Sequence, residues 1–235
     1  MRDMSTTTTT LEERIEQVRM DIAAAARDAG RDPDEIELIA VCKTFSREAV
    51  DAAWALGIRH FGENRVQEAR EKFVDPLPDG ATLHLIGHLQ SNKAKQVPGL
   101  FQSVDSVDRA SIVDALDKAA ARHETTLDVL LQVNVAGEAQ KSGCDPAEAA
   151  ALLERIAATE TLTPRGLMTI APIDAEGDAL RAVFRGLREL RDDLQRRFPD
   201  LDLSELSMGM SNDYREAIAE GATQVRVGRA IFGER

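Results

Sequence analysis

A lysine closing a short apolar run is the first residue in this chain whose setting suggests chemistry. Ile36, Leu38, Ile39, Ala40 and Val41 lead into Cys42-Lys43-Thr44, and Ser46 follows ahead of helical spacing at Ala49, Val50, Ala53 and Leu56. A Val/Ile-rich run of that length before a helix start reads as a buried parallel strand. Lys43 then sits at the carboxyl end of a strand, where α/β proteins gather their functional groups. A partly desolvated amine there loses its proton more readily and can form a Schiff base with a carbonyl compound. A lysine snorkelling out of the strand fits the position equally well, so other motifs must decide.

Two loops near the end of the chain point to an anion. Ser207-Met-Gly-Met-Ser-Asn-Asp213 follows a strand pattern at 203–206 and leads into helical spacing at 211–219. Free amides at a helix start, with the Ser211 hydroxyl, bind phosphate oxygens. Val227-Gly-Arg-Ala-Ile-Phe-Gly233 follows the next strand pattern, and Gly228 lets the backbone come close to a ligand. Arg226 either pairs with a surface acid or turns its guanidinium to a ligand's ring nitrogen. An arginine keeps its proton at neutral pH, so it would leave that nitrogen unprotonated.

Asn64, His88, Asn134 and Met168 end other expected strands and complete a polar rim. Asn64 serves equally well as the cap of a helix over 65–73. His84 is expected inside the barrel or helix layer, and both His84 and His88 in hydrogen-bonded structural roles. Lys141 reads as a solvated loop lysine and Trp54 as packing. The Arg and Asp residues of 185–197 read as a solvated helix face with i,i+4 pairs. No Cys/His cluster at metal spacing and no HExxH occurs, so no metal site is expected.

The elements that must position these residues alternate regularly. Residues 1–10, with their threonine run, are expected to form a disordered tail. Leu11, Ile15, Val18 and Ile22 give a first helix stopped at Gly30. Strands are expected at 36–41, 58–61, 83–86, 101–104, 127–135, 162–170, 203–206 and 223–227. Between them Ser91 should cap a short helix, Asp108 a helix to 122, and Asp145-Pro146 should open another. About eight such units, each of roughly 20–30 residues, favour one (β/α)₈ barrel, a TIM barrel, over 11–235 with an extra N-terminal helix. An open doubly wound sheet is the alternative, weakened because no GxGxxG follows the first strand.

Composition narrows the partners. The chain has 235 residues, 43% of them hydrophobic, and a formal net charge of −12. That charge argues against nucleic acid and anionic membrane. No run is long enough to span a membrane, and no signal peptide is visible. Two cysteines, Cys42 and Cys144, fit a reducing cytosol, so a cytoplasmic location is expected; the chain is also expected to be a monomer.

Taken together, seven stretches resemble the YggS/PROSC family of pyridoxal 5′-phosphate (PLP)-binding proteins, also called PLP homeostasis proteins. They are Ala40-Val-Cys-Lys-Thr44, Phe61-Gly-Glu-Asn-Arg-Val-Gln-Glu68, His84-Leu-Ile-Gly-His-Leu-Gln-Ser-Asn-Lys93, Val133-Asn-Val through Lys141-Ser-Gly143, Gly166-Leu-Met168, Met208-Gly-Met-Ser-Asn-Asp213 and Val225-Arg-Val-Gly through Ile231-Phe-Gly233. The resemblance implies a barrel like the N-terminal domain of alanine racemase, with PLP as cofactor in a Schiff base on Lys43. It also implies phosphate contacts at Ser211 and Gly228, a ring-nitrogen contact at Arg226, and Asn64 and Met168 beside the cofactor. Cys42 stands where a serine is common, and Tyr214 where Met or Phe is usual. The implied role is to bind, buffer or deliver PLP, with PLP-dependent apoenzymes as recipients and no assigned catalytic residue. A racemase-like PLP enzyme is the alternative, and a cofactor-free lysine aldolase a third reading. Racemisation is not expected: Tyr214 falls on the wrong side of the ligand, and the chain ends with the barrel.

Overall fold

Parallel strands buried on both faces need helices outside and a filled interior, and the chain meets both demands by closing its sheet. In the computed structural model eight parallel strands pair in sequence order, and β8 returns to β1. They are β1 (Glu37–Val41), β2 (His60–Glu63), β3 (Thr82–Leu85), β4 (Ser103–Val107), β5 (Leu127–Gln132), β6 (Leu162–Met168), β7 (Glu205–Met210) and β8 (Gln224–Val227). The closed barrel rules out the open sheet. The structure describes residues 9–138 and 142–233, so the expected tail as far as Thr8, and Lys141, lie outside the described residues.

The outer layer consists of α1 (Leu11–Asp28), α2 (Arg47–Ala55), α3 (Val66–Lys72), α4 (Ala110–Arg122), α5 (Ala149–Ala157), α6 (Gly177–Arg197), α7 (Tyr214–Ala219) and α8 (Arg229–Phe232). Thr10 belongs to the first helix rather than to a tail. Its hydroxyl accepts from Glu13 N–H while the Glu13 carboxylate accepts from Thr10 N–H, a reciprocal cap. α1 lies outside the barrel against α7 and α8, tied there by Arg14 Nε donating to Ile231 O at 2.6 Å and by an Arg215–Asp21 ion pair. No helix among the described residues is long and apolar enough to cross a membrane.

Several expected boundaries move, each for a local reason. Ser91 opens a 3₁₀ turn (Ser91–Gln96) and does not cap it; Gln90 holds that place. Asp108 does not cap α4 because it pairs with Arg109, the residue that takes the cap position. Asp145 caps a 3₁₀ turn (Pro146–Glu148), accepting from Ala147 N–H at 2.8 Å, and α5 follows it. β7 starts later and runs further than the apolar pattern suggests, because pairing with β8 continues past a bulge to Met210. Ser211 and Asn212 consequently lie in a turn, and α7 begins only at Tyr214. On α6 the expected i,i+4 pairs give way: Arg185 and Arg188 reach across to Glu220, and Arg196 pairs with Asp193. Trp54 is half-buried, with the Arg59 guanidinium 3.9 Å from its ring centroid.

The barrel interior is layered. Alternation along the strands turns Glu37, Ile39 and Val41 of β1 inward, and Gln224 and Arg226 of β8 lie level with Glu37 and Ile39. The floor is polar. His60 Nε2 is 2.9 Å from Glu37 Oε1, His60 Nδ1 is 3.1 Å from His84 Nε2, and His84 Nδ1 is 3.1 Å from Asp105 Oδ2. Gln224 Nε2 donates to Glu37 at 3.0 Å and to Glu205 at 2.9 Å. Ile39, Ile86, Leu130 and Met168, all buried, fill the interior above it.

Crowded carboxylates on this floor repel one another. Burial first, then Asp105 and Glu37, push the Glu205 carboxyl up to about 7, against an ordinary value of 4.5. A raised acid binds its proton more tightly in the folded chain, so the associated stability is present at low pH and lost as pH rises through about 7. Glu205→Gln is therefore expected to be more stable than the parent at pH 8 by ~1–2 kcal/mol, discounted because the side chain is partly open to solvent. The advantage should vanish at pH 5. Urea melts at both pH values check it, and a pH-independent difference would contradict the assignment.

Candidate functional site at the barrel mouth

Lys43 follows β1 at the open end of the barrel, half-buried, with no bond to its amine among the described residues. Its position is set from behind. Cys42 N–H donates to Gly62 O at 3.0 Å, and Cys42 O accepts from Lys72 Nζ at 2.7 Å. Thr44, at φ +66° in the left-handed region, donates its amide to the Glu68 carboxylate. That unusual backbone turns the chain sharply just after the lysine. Lys72 also pairs with Glu63 at 2.5 Å, and Glu63 is fully buried with its second oxygen unpartnered among the described residues. Burial raises the Glu63 carboxyl, opposed chiefly by Lys72.

Cys42 faces this outer cluster and not the mouth. Its thiol donates to Glu63 Oε1 at 3.3 Å, and burial followed by the Glu63 charge pushes it well up, leaving it protonated and unreactive. The cysteine thus sits on the helix side of the strand, away from the amine of Lys43.

Arg226 is 3% exposed and makes no ion pair with a surface acid among the described residues. Its Nη1 donates to Ser207 Oγ and its Nη2 to Thr169 O, each at 2.8 Å. Burial pushes it down to about 10, with Asp105 and Asp213 pulling the other way, so it remains a cation at neutral pH. Beside it, among the described residues, no hydrogen bond takes up the backbone N–H of Ser211, Asn212 or Gly228. Ser211 and Asn212 border a shallow hollow of about 80 Å³ with Tyr214 and Arg215. A side chain at Gly228 would place its Cβ 3.2 Å from Val41 O, so glycine keeps the end of β8 against the end of β1.

The remaining rim residues divide. Asn64 is half-buried and does not cap α3, whose cap position is Arg65. It is fixed by Gly87, where any Cβ would come within 2.2 Å of Asn64 O. Met168 is fully buried at the end of β6. Asn134 is occupied with its own loop, donating to Glu138 O at 2.8 Å and accepting from Glu138 N–H. His88 is exposed, 3.6 Å from Asp108 and 3.5 Å from the Ser142 hydroxyl. Tyr214 is buried on the outside of the barrel, where burial and then Asp21 of α1 raise its phenol. Sequence reasoning missed Lys72, Glu63, Glu68, Thr169 and Ser207, which hold the site from behind. Glu63 lies two residues beyond the expected strand at 58–61 and left no signal of its burial.

The chain as a whole has known relatives. The profile of the alanine racemase N-terminal domain matches residues 16–235. A pyridoxal phosphate homeostasis protein of Pseudomonas aeruginosa is 46% identical over 96% of both chains. One from Aquifex aeolicus is 40% identical over 95% of this chain and 97% of its own. The chain belongs to the pyridoxal phosphate homeostasis protein family. Among solved structures, PipY of Synechococcus elongatus with PLP bound superposes with a TM-score of 0.84, at 38% identity over 95% of this chain and 100% of that one. An alanine racemase of Clostridium difficile shares the fold at a TM-score of 0.70 and 11% identity, this chain spanning 56% of its length.

The buried pair behind Lys43 gives a direct test of what holds the mouth. Lys72→Met strands the Glu63 carboxylate in the interior and is expected to cost about 3–5 kcal/mol. Adding Glu63→Gln should recover most of the loss, since a neutral amide needs no counter-charge. Denaturant unfolding of the single and double variants measures both, and a loss that the second substitution fails to relieve would show that packing, not charge, holds the segment.

Proposed function

We propose that this chain binds PLP in the mouth of its barrel and serves PLP homeostasis by holding, buffering and delivering it. The observation that carries the reading is the convergence on one rim of the free Lys43 amine, the buried Arg226 cation and the unclaimed amides of Ser211, Asn212 and Gly228. These groups suit an aldehyde, a pyridine nitrogen and a phosphate respectively, so the residues present fit the cofactor. When bound, PLP supplies an aldehyde for covalent attachment and a ring able to accept electron density.

The residues do the rest. Lys43 Nζ provides the attaching amine, held in place by the Lys72 and Glu68 contacts to its neighbours. The amides of Ser211, Asn212 and Gly228 and the Ser211 hydroxyl receive the phosphate, and glycine at 228 lets the end of β8 lie close against Val41 of β1. Arg226 acts only as a donor, because its proton stays on at neutral pH, and it faces the ring nitrogen without supplying a proton to it. Asn64 and Met168 line the ring. Racemisation needs a proton donor on each face of the substrate carbon, and the chain's single tyrosine is spent outside the barrel. That supports a carrier over a racemase. In the same reading the chain is a cytoplasmic monomer whose half-exposed Lys43 hands PLP to PLP-dependent apoenzymes.

Borohydride reduction of the PLP-loaded protein followed by peptide mapping should place the whole adduct on Lys43, and Lys43→Ala should abolish it. An adduct on Lys141 would refute the assignment. For the phosphate, Ser211→Ala is expected to weaken PLP by about 1–2 kcal/mol, the worth of a hydrogen bond to a charged group. Pyridoxal without the phosphate should bind far less well and be nearly indifferent to that substitution. Equal losses for both ligands would remove Ser211 from the phosphate site.

A further inference from the structure

The polar floor at the opposite end of the barrel takes no part in the reading above. Its side chains come from three adjacent strands: Glu37 of β1, His60 of β2 and His84 of β3. One ligand atom from each lies within 4.8 Å of the others. His60 Nδ1 and His84 Nε2 are 3.1 Å apart, the spacing of two nitrogens sharing one ion, and the other His60 nitrogen, Nε2, lies 2.9 Å from Glu37 Oε1. His84 is fixed from behind, its Nδ1 on the Asp105 carboxylate, which itself accepts from Ser103 Oγ at 2.5 Å. A carboxylate behind an imidazole is the arrangement that orients a histidine toward a metal. Glu37 and His60 keep 33% and 27% side-chain exposure, so the floor is reachable from solvent. Glu205 joins Glu37 and Asp105 in giving this region negative charge, and Gln224, bridging Glu37 and Glu205, keeps an oxygen without a partner among the described residues.

We propose that Glu37, His60 and His84 form a binding site for a divalent first-row transition-metal ion on the barrel floor. Two imidazoles and one carboxylate suit zinc, cobalt, nickel or copper and disfavour calcium and magnesium, which take oxygen ligands. Three ligands on neighbouring strands of a closed sheet hold their spacing better than ligands on loops. Asp105 holds the His84 ring and does not touch the ion. The site shares no ligand residue with the proposed PLP site.

The test titrates Co²⁺ into the metal-free, tag-free full chain, followed by calorimetry and the visible spectrum, and then displaces it with Zn²⁺. One ion per chain is expected. His60→Gln and Glu37→Gln should each weaken binding by more than about 100-fold, and Asp105→Asn by about 10–100-fold. His123→Gln, at the exposed end of α4, and Lys43→Ala should leave it unchanged. Absence of saturable binding, or binding that His60→Gln and Glu37→Gln leave intact, overturns the proposal and leaves the floor as a hydrogen-bonded chain. Should those substitutions fail to fold, Cu²⁺ paramagnetic resonance of the parent chain decides, since a signal without imidazole nitrogen coupling excludes the site.

Discussion

A charge buried deep inside a closed barrel must find its partners in the register of the neighbouring strands. Arg226 shows what that demands. Its guanidinium sits level with Ile39 and is held by a hydroxyl of β7 and a carbonyl just beyond β6. Those two bonds require the Ser207 hydroxyl and the Thr169 backbone carbonyl to reach the guanidinium together, which ties the ends of β6, β7 and β8 to one another. The loops that follow these strands inherit that position. The free amides of Ser211 and Gly228 therefore stand beside Arg226 because an interior cation had to be satisfied first.

The other side of the mouth is built from outside the barrel. Lys43 itself makes no bond, and its neighbours on either side are held by Lys72 and Glu68 of α3. The lysine is presented by a clamped backbone with a free side chain, the arrangement that the proposed attachment of PLP requires. The clamp rests on the buried Glu63–Lys72 pair, which also turns the Cys42 thiol away from the mouth. Cys42 therefore belongs to the helix layer and not to the surroundings of the Lys43 amine.

Much of this was legible in the amino-acid sequence. Alternating apolar runs and helical spacings revealed a barrel of eight units, with Lys43 and Gly228 just after strands one and eight and Arg226 near the end of strand eight. What stayed hidden depends on contacts between strands distant in sequence. Ser211 looked like a helix start because Ser-Asn-Asp is good cap chemistry, yet β8 offers β7 a pairing partner as far as Met210 and the helix is delayed. Asn134 looked like a rim amide, but its side chain closes its own turn. His60 and His84 stand 24 residues apart and follow no metal-ligand spacing. Only the pairing of β2 with β3 brings them together.

The two ends of the barrel share one carboxylate. Asp105 binds His84 on the floor and also pulls on the Arg226 cation above it. An apolar layer of Ile39, Ile86 and Leu130 excludes water from the interior, and charges in such a medium are felt over longer distances than on a surface. A divalent ion on the floor would draw on the charge that now faces Arg226, leaving the arginine's field at the mouth less compensated. Linkage of this kind is reciprocal: whatever an ion below does to the affinity for an anion above, the anion must do to the ion. Asp105 thus stands between the two ends, bonded to the His84 imidazole of the floor and favouring the charged form of Arg226 above it.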